Sequence, residues 1–210
     1  AFEQLWLPWA VRGRVVLSLC GPAPLLARRN VAAIHDASVF RFPSTYTWAF
    51  RTWHRSMSRV LAHRARALVT VSRFSAGELA TVLGVAPGRF RVVPDGADHL
   101  VDVSPRRPDL AGLDAPFVLC VGTPAVHKNL GPALAALGAA GIPTIVVGAR
   151  AGRVFAGAET GPSGPSGPGP ITYAGRLTDE ELAWLYGQAE ALVFPSRYEG
   201  FGVPVVEAQR

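Results

Sequence analysis

The feature that most constrains this chain is an alternation of short, mostly apolar, strand-like runs with stretches of helical pattern, in two series. The first series of runs is Val15 to Cys20, Val31 to Ile34, Leu68 to Val71 and Phe90 to Val93. The second is Phe117 to Val121, Thr144 to Val147, Ile171 to Tyr173 and Ala191 to Phe194. Runs without a polar face predict strands buried on both sides, and helices between them predict parallel crossovers. Helical pattern falls at Phe2 to Val11, Tyr46 to Arg66, Arg73 to Leu83, Leu130 to Ala140 and Asp179 to Ala189. Ser72 predicts an N-cap and Gly84 a helix end; Thr178 with Glu181 three residues on predicts a capping box. A last helix begins near Val203, with Pro204 suited to its first turn.

Between the series, residues 94–116 are rich in Pro and Asp and lack apolar periodicity, as a linker does. The reading is α/β: a first Rossmann-like unit over 1–100, a linker over 101–116 and a second unit over 117–210. The Pro94-Asp95-Gly96 turn marks the crossing between them. The segment GPSGPSGPGP, 161–170, is too short for a triple helix and reads as an inserted surface loop. The opening helix has no strand before it, and the last helix stops about two turns in. Both units are therefore expected to be incomplete here, the middle of a longer enzyme, and residues 1–210 alone are expected to be inactive.

A hydrophobic content of 49% with 17% charged residues excludes global disorder. The net charge of +6 rests on 20 Arg and a single Lys, Lys128. It is confined to the first half: residues 1–110 carry +8 and the remainder −2. Cys20 and Cys120 supply neither a disulfide framework nor metal spacing, which suits a reducing cytosol. The uncharged stretch from Leu130 to Ala149 is long enough to mimic a membrane span. Gly131, Pro132, Gly138, Gly141 and Pro143 break it, predicting helix, turn and buried strand. P-loop, G-x-G-x-x-G, H-E-x-x-H, G-x-S-x-G and D-x-D motifs are all missing.

Three segments carry candidate chemistry. FPSRYEGFGVPVVE, Phe194 to Glu207, runs from a buried strand through a glycine-containing loop into a helix. Gly200 and Gly202 let main-chain N–H groups approach a ligand, and the helix start suits a diphosphate. Glu199 and Glu207 would repel an anion, so they either accept hydroxyls of sugar and ribose or stand as a solvated loop carboxylate and a helix-start carboxylate. GTPAVHKN, Gly122 to Asn129, follows the strand at Phe117 to Val121. Its Lys128 is either a phosphate-binding point charge at a strand's carboxyl end or an ordinary surface Lys. His127 beside it reads as a surface residue. His35-Asp36 closes the strand at Val31 to Ile34, and His35 either meets substrate or caps a loop. His54 and His63 are expected to face solvent.

Taken together, IHD at Ile34 to Asp36, TVSRFSAGEL at Thr70 to Leu79 and VVPDGAD at Val92 to Asp98 resemble a known series of motifs. FVLCVGTPAVHKN at Phe117 to Asn129, YAGRLTDEEL at Tyr173 to Leu182 and the E-x7-E pair Glu199 and Glu207 continue it in order. The chain resembles the retaining, metal-independent glycosyltransferases of family four, also called group 1. The resemblance implies a GT-B fold, two Rossmann-like units facing a cleft. It implies transfer of a sugar from a nucleoside-diphosphate donor to an acceptor hydroxyl, in cell-surface polysaccharide or glycoconjugate synthesis, with no cofactor and no metal. Glu199 would contact the donor sugar, Glu207 the ribose, and Lys128 the diphosphate with the N–H groups of Phe201, Gly202 and Val203. Gly122 and Thr123 open the phosphate loop; Gly175, Arg176 and Leu177 line the base pocket. Gly200 belongs to the donor loop, His35 approaches the sugar or its phosphate, and Ser72 and Arg73 lie on the acceptor side. Thr123 stands near where many relatives carry a phosphate-binding Arg.

The implied partners are a nucleotide sugar and a carbohydrate or lipid-linked acceptor, in the cytoplasm, with peripheral contact at an anionic inner membrane face and no nucleic acid. Two rivals remain at this level. One is a GT-B sugar-nucleotide epimerase or phosphorylase-like enzyme. The other is a basic nucleic-acid-binding protein using Arg41 to Arg73, where seven Arg occur without an acid. Those Arg also suit a solvated helix face or a contact with anionic lipid.

Overall fold

The computed structural model describes residues 2–20, 23–27, 29–123, 125–148 and 170–210. The segment 161–169, most of the expected glycine-proline loop, lies outside them. The chain forms two compact units, residues 1–95 with 199–201 and residues 96–198 with 202–210. The main division falls within the Pro94-Asp95-Gly96 turn.

In the first unit, four parallel strands stand in the order β1 (Val16–Ser18), β2 (Asn30–Ala33), β3 (Ala67–Thr70), β4 (Phe90–Val92). A π-helical turn, Phe2–Trp6, leads into α1 (Leu7–Ala10) ahead of β1; α2 (Ser38–Arg41) and α3 (Trp48–Arg64) connect β2 to β3; α4 (Arg73–Leu83) connects β3 to β4. Ser72 caps α4, its Oγ accepting from Ser75 N at 3.0 Å, and Gly84 closes it in the left-handed conformation at φ 68°. α4 packs on β3, β4 and α3, and Leu68 and Leu79 are fully buried.

α3 departs from its pattern. Met57 and Leu61 are buried, but Trp48 and Trp53, at core-like spacing, are exposed by 71% and 44%. His54 does not face solvent as expected: it is half-buried and stacks on Phe50 with ring centroids 3.9 Å apart. Several of the basic side chains have structural work. Arg55 donates to Val39 O at 3.0 Å and Phe40 O at 3.1 Å, and Arg51 to Pro43 O. Arg41 pairs with Glu78 in a two-pronged ion pair of 2.6 and 2.8 Å. These bonds tie α2 and α3 to their surroundings, with Arg51 and Arg55 half-buried and Arg41 still exposed.

The second unit repeats the architecture, with parallel order β7 (Ile171–Gly175), β6 (Thr144–Val147), β5 (Val118–Val121), β8 (Ala191–Leu192). α5 (Leu130–Ala139), α6 (Asp179–Gln188) and α7 (Val203–Ala208) complete it. Strand alternation divides the side chains between two faces. Leu119, Ile145 and Val147 join Leu185 of α6 in one core cluster; Cys120 and Val146 join Leu134 of α5 in another. The sheet is thus covered on both sides, and every residue of β6 is buried. The uncharged stretch that could pass for a membrane span is this helix, turn and strand. Thr178 and Glu181 form the expected capping box. The stretch 101–116 runs along this unit: Leu113 is buried in the first cluster, and Arg106 pairs with Glu181 at 3.1 Å.

Candidate functional site

Three strands of the second sheet end in glycine at their carboxyl ends. Gly122 follows β5, Gly148 follows β6, and Gly175 ends β7. Gly122 N donates to Val147 O and Gly148 N to Gly175 O, each at 2.9 Å. Gly148 has φ 154°, and a Cβ there would stand 1.8 Å from Gly122 O. Only glycine fits, because main chain passes main chain without room for a side chain. Gly175 has φ 70° and turns the chain into Arg176, which is exposed, and Leu177, which packs against the core. The result is a backbone-lined rim at the carboxyl edge, where open α/β sheets take ligands.

Lys128 stands on the same edge. After Gly122 and Thr123 the chain makes a tight turn, Val126–Lys128, and Asn129 at φ 55° starts α5. Lys128 is half-buried. The main-chain N–H of Arg197 donates to His127 O at 2.8 Å. This bond joins the turn that carries Lys128 to the loop that leads toward α7. His127 is not a surface residue: it is 6% exposed, while Val126 beside it is 51% exposed. The tight turn inverts what hydropathy predicts.

α7 begins where the sequence places it. Gly202, buried and left-handed at φ 89°, is its N-cap, and Pro204 lies in its first turn. Glu207 is buried, and its carboxylate is held at both oxygens. Tyr186 Oη donates to Oε2 at 2.6 Å, and His99 Nε2 lies 3.2 Å from Oε1. Burial first, then the hydrogen bond and charge of Glu207, raise the Tyr186 pKa well above the ordinary phenol range, so Tyr186 remains a donor. Arg210 reaches back to Asp98 at 2.7 Å and ties the end of α7 to the turn at Asp98–Leu100. Among the described residues no three His, Cys, Asp or Glu side chains form a metal-binding group.

The remaining candidates lie in the first unit, which includes residues 199–201. Gly200 O accepts from Ser72 Oγ at 2.6 Å and from Ser75 Oγ at 3.1 Å. A Cβ on Gly200 would meet His35 O at 3.0 Å, so His35, Ser72 and the Glu199–Phe201 segment are neighbours. His35 is exposed, with Nε2 2.8 Å from Leu19 O. Asp36 accepts from Ser38 N at 2.6 Å and steadies the start of α2. Arg73 is exposed, and Glu199 and Phe201 are half-buried.

Residues 10–99 match the family described as Glycosyltransferase Family 4, and residues 168–210 match Glycosyl transferases group 1. The likeness is to glycosyltransferases. O-antigen chain mannosyltransferase B of Escherichia coli is 28% identical over 95% of this chain and 56% of its own length. MMP alpha-(1->4)-mannosyltransferase of Mycolicibacterium hassiacum is 29% identical over 75% of this chain and 38% of its own length. The chain therefore spans about half, or less, of these curated relatives. In structure it resembles sucrose-phosphate synthase of Thermosynechococcus elongatus, with a TM-score of 0.56 and 18% identity, over 97% of this chain and 50% of that one. Two four-stranded parallel sheets with this likeness make the fold GT-B.

Tyr186, His99 and Gly148 were not singled out in the sequence. Tyr186 sits in the last turn of α6 and reads as a packing aromatic, and His99 lies in the stretch without periodicity. Gly148 carried a usable signal: a glycine directly after the strand-like run Thr144 to Val147.

Proposed function

We propose that the chain is the core of a retaining glycosyltransferase acting in cell-surface polysaccharide or glycoconjugate synthesis. It moves a sugar from a nucleoside-diphosphate donor to an acceptor hydroxyl without a metal. The observation that carries this reading is the occurrence, in order along one chain, of matches to two glycosyltransferase families. The names of the relatives favour mannose as the sugar.

In this reading the donor diphosphate lies by Lys128 and the N–H groups of Phe201, Gly202 and Val203, and Gly122 and Thr123 open the phosphate loop. The base lies along Gly175, Arg176 and Leu177. Glu199 accepts hydroxyls of the sugar. Glu207 accepts those of the ribose: a carboxylate offers about four acceptor positions, so one phenol and one imidazole leave capacity. His35 approaches the sugar or its phosphate, and Ser72 and Arg73 serve the acceptor. The bond from the anomeric carbon to the diphosphate breaks, and the acceptor oxygen bonds to that carbon from the same face. The departing diphosphate takes the acceptor's proton. Lys128 and the N–H donors stabilise the negative charge that develops on the leaving group.

Calorimetric titration of the chain with a panel of nucleoside diphosphates tests the reading. One diphosphate is expected to bind best. Lys128→Ala should weaken it about tenfold or more, since hydrogen bonds to charged groups contribute roughly 1.5–3 kcal/mol, and Glu207→Ala should weaken it less. Unchanged binding in both variants overturns the site. In the intact protein, release of free nucleoside diphosphate only when an acceptor is glycosylated separates transfer from epimerisation.

A further inference from the structure

One carbonyl of the glycine-containing loop is held by two side chains at once. Gly200 O accepts from Ser72 Oγ at 2.6 Å and from Ser75 Oγ at 3.1 Å, across 128 and 125 residues of sequence. All three residues belong to the first unit. Ser72 is the N-cap of α4 and Ser75 follows three residues on, so helical spacing sets the two hydroxyls side by side. Ser75 is fully buried, and its N–H donates to Ser72 Oγ at 3.0 Å. The Ser72 hydroxyl thus gives its one proton to Gly200 O and one lone pair to Ser75 N, and keeps a second lone pair for its acceptor-side role.

The main chain of Gly200 is seated as closely. A Cβ there would meet His35 O at 3.0 Å, Asp36 Cβ at 3.2 Å and Val71 Cγ2 at 3.3 Å. The loop is therefore pressed against the chain that follows β2 and β3 and against the start of α4.

Fixing one end of a peptide group orients the other. Among the described residues there is no cis peptide bond, and in a trans peptide the C=O and the N–H point in opposite directions. With Gly200 O held on α4, the Phe201 N–H is aimed away from that helix. This N–H donates to no atom of the described residues. A peptide that follows glycine rotates easily when nothing holds it, so the two serines decide which way the N–H points.

We propose that Ser72 and Ser75 are positioning residues for the donor diphosphate: by holding Gly200 O they present the Phe201 N–H to a phosphate oxygen. The proposal rests on the donor-site reading, in which that N–H meets the diphosphate. Neither hydroxyl needs to touch the donor. An N–H fixed before the anion arrives requires no reordering on binding. Helix capping alone does not account for the pair, because a cap accepts from its helix, whereas Ser75 Oγ donates away from it.

Calorimetric titration of the chain with the preferred nucleoside diphosphate, and with the corresponding nucleoside, tests the proposal. Ser72→Ala with Ser75→Ala should weaken the diphosphate about three- to tenfold, the fold-change of one net hydrogen bond, and leave the nucleoside within about twofold. In the 15N-labelled chain, the shift of the Phe201 amide on diphosphate addition should shrink in the same variant. Ser75→Ala alone keeps the cap of α4 and should weaken the diphosphate in the same direction; it carries the test if the double variant does not fold. Ser72→Thr keeps both hydroxyl and cap and should bind as the unaltered chain does. Unchanged diphosphate affinity in the serine variants, where Lys128→Ala weakens it, overturns the proposal and leaves the donor site standing. So does an equal loss for the nucleoside, since the serines would then only support the fold. Diphosphate binding indifferent to both Lys128→Ala and Glu207→Ala overturns the donor-site reading and this proposal with it.

Discussion

The Tyr186 hydroxyl donates a 2.6 Å hydrogen bond to the buried carboxylate of Glu207. The bond links the last turn of α6 to the last turn of α7 and fixes the carboxylate before any ligand arrives. Tyr186→Phe removes one donor from a buried acceptor and keeps the ring. Such a loss costs about 1–3 kcal/mol. Denaturant unfolding should show that decrease, and calorimetry should show weaker binding of the preferred nucleoside diphosphate. A stability change near zero would mean that water replaces the phenol.

Gly148→Ala and Gly77→Ala should move stability in opposite directions. At Gly148 the new Cβ would overlap Gly122 O, at a φ that L-residues rarely adopt. Strain of this kind costs on the order of 1–3 kcal/mol before the clash is counted, and the strand-end rim should distort. Gly77 lies within α4 with nothing within 4 Å of the added carbon. Alanine there should stabilise by about 0.5–1 kcal/mol. Parallel unfolding curves of the two variants check the contrast.

Burial lowers the pKa of His54 below its ordinary 6.5. Protonation therefore favours the unfolded chain. Stability is full above the unfolded value of 6.5 and declines as pH falls below it, levelling off below the folded pKa. His54→Gln, which cannot charge, should flatten that part of the stability–pH curve. An unchanged slope would assign the pH dependence to other groups.

The two thiols should differ in reactivity. Cys120 is fully buried, and burial pushes its pKa up to about 11, so it stays a thiol at neutral pH; Cys20 is exposed. A thiol-specific disulfide reagent should label one cysteine in the native protein and both in denaturant. Cys20→Ser should abolish the native labelling.

The fold was largely legible because its signals are local and periodic. All eight apolar runs contain strands, and Ser72, Thr178 and Gly202 begin helices where cap chemistry and glycine spacing predict. Continuous hydrophobicity in Thr144 to Val147 requires cover on both faces, and α5 and α6 supply it. The candidate site was legible at the level of loops: the resemblance points to Lys128 and to the segment ending at Glu207. How these loops are held was not. His127 and Val126 exchange their expected environments in one tight turn, and Arg197 N holds that turn through a main-chain bond that no side-chain pattern records.

The sequence by itself determined the order of strands and helices, the glycine and cap positions, and the family likeness, because each depends on residues close together in the chain. Tertiary structure decided the partners of charged and polar groups. Glu207 meets Tyr186 and His99, Arg55 meets the main chain of α2, and Trp48 and Trp53 stay exposed although their spacing suits a core. Those outcomes depend on contacts between distant segments, and short-range periodicity carries no information about them.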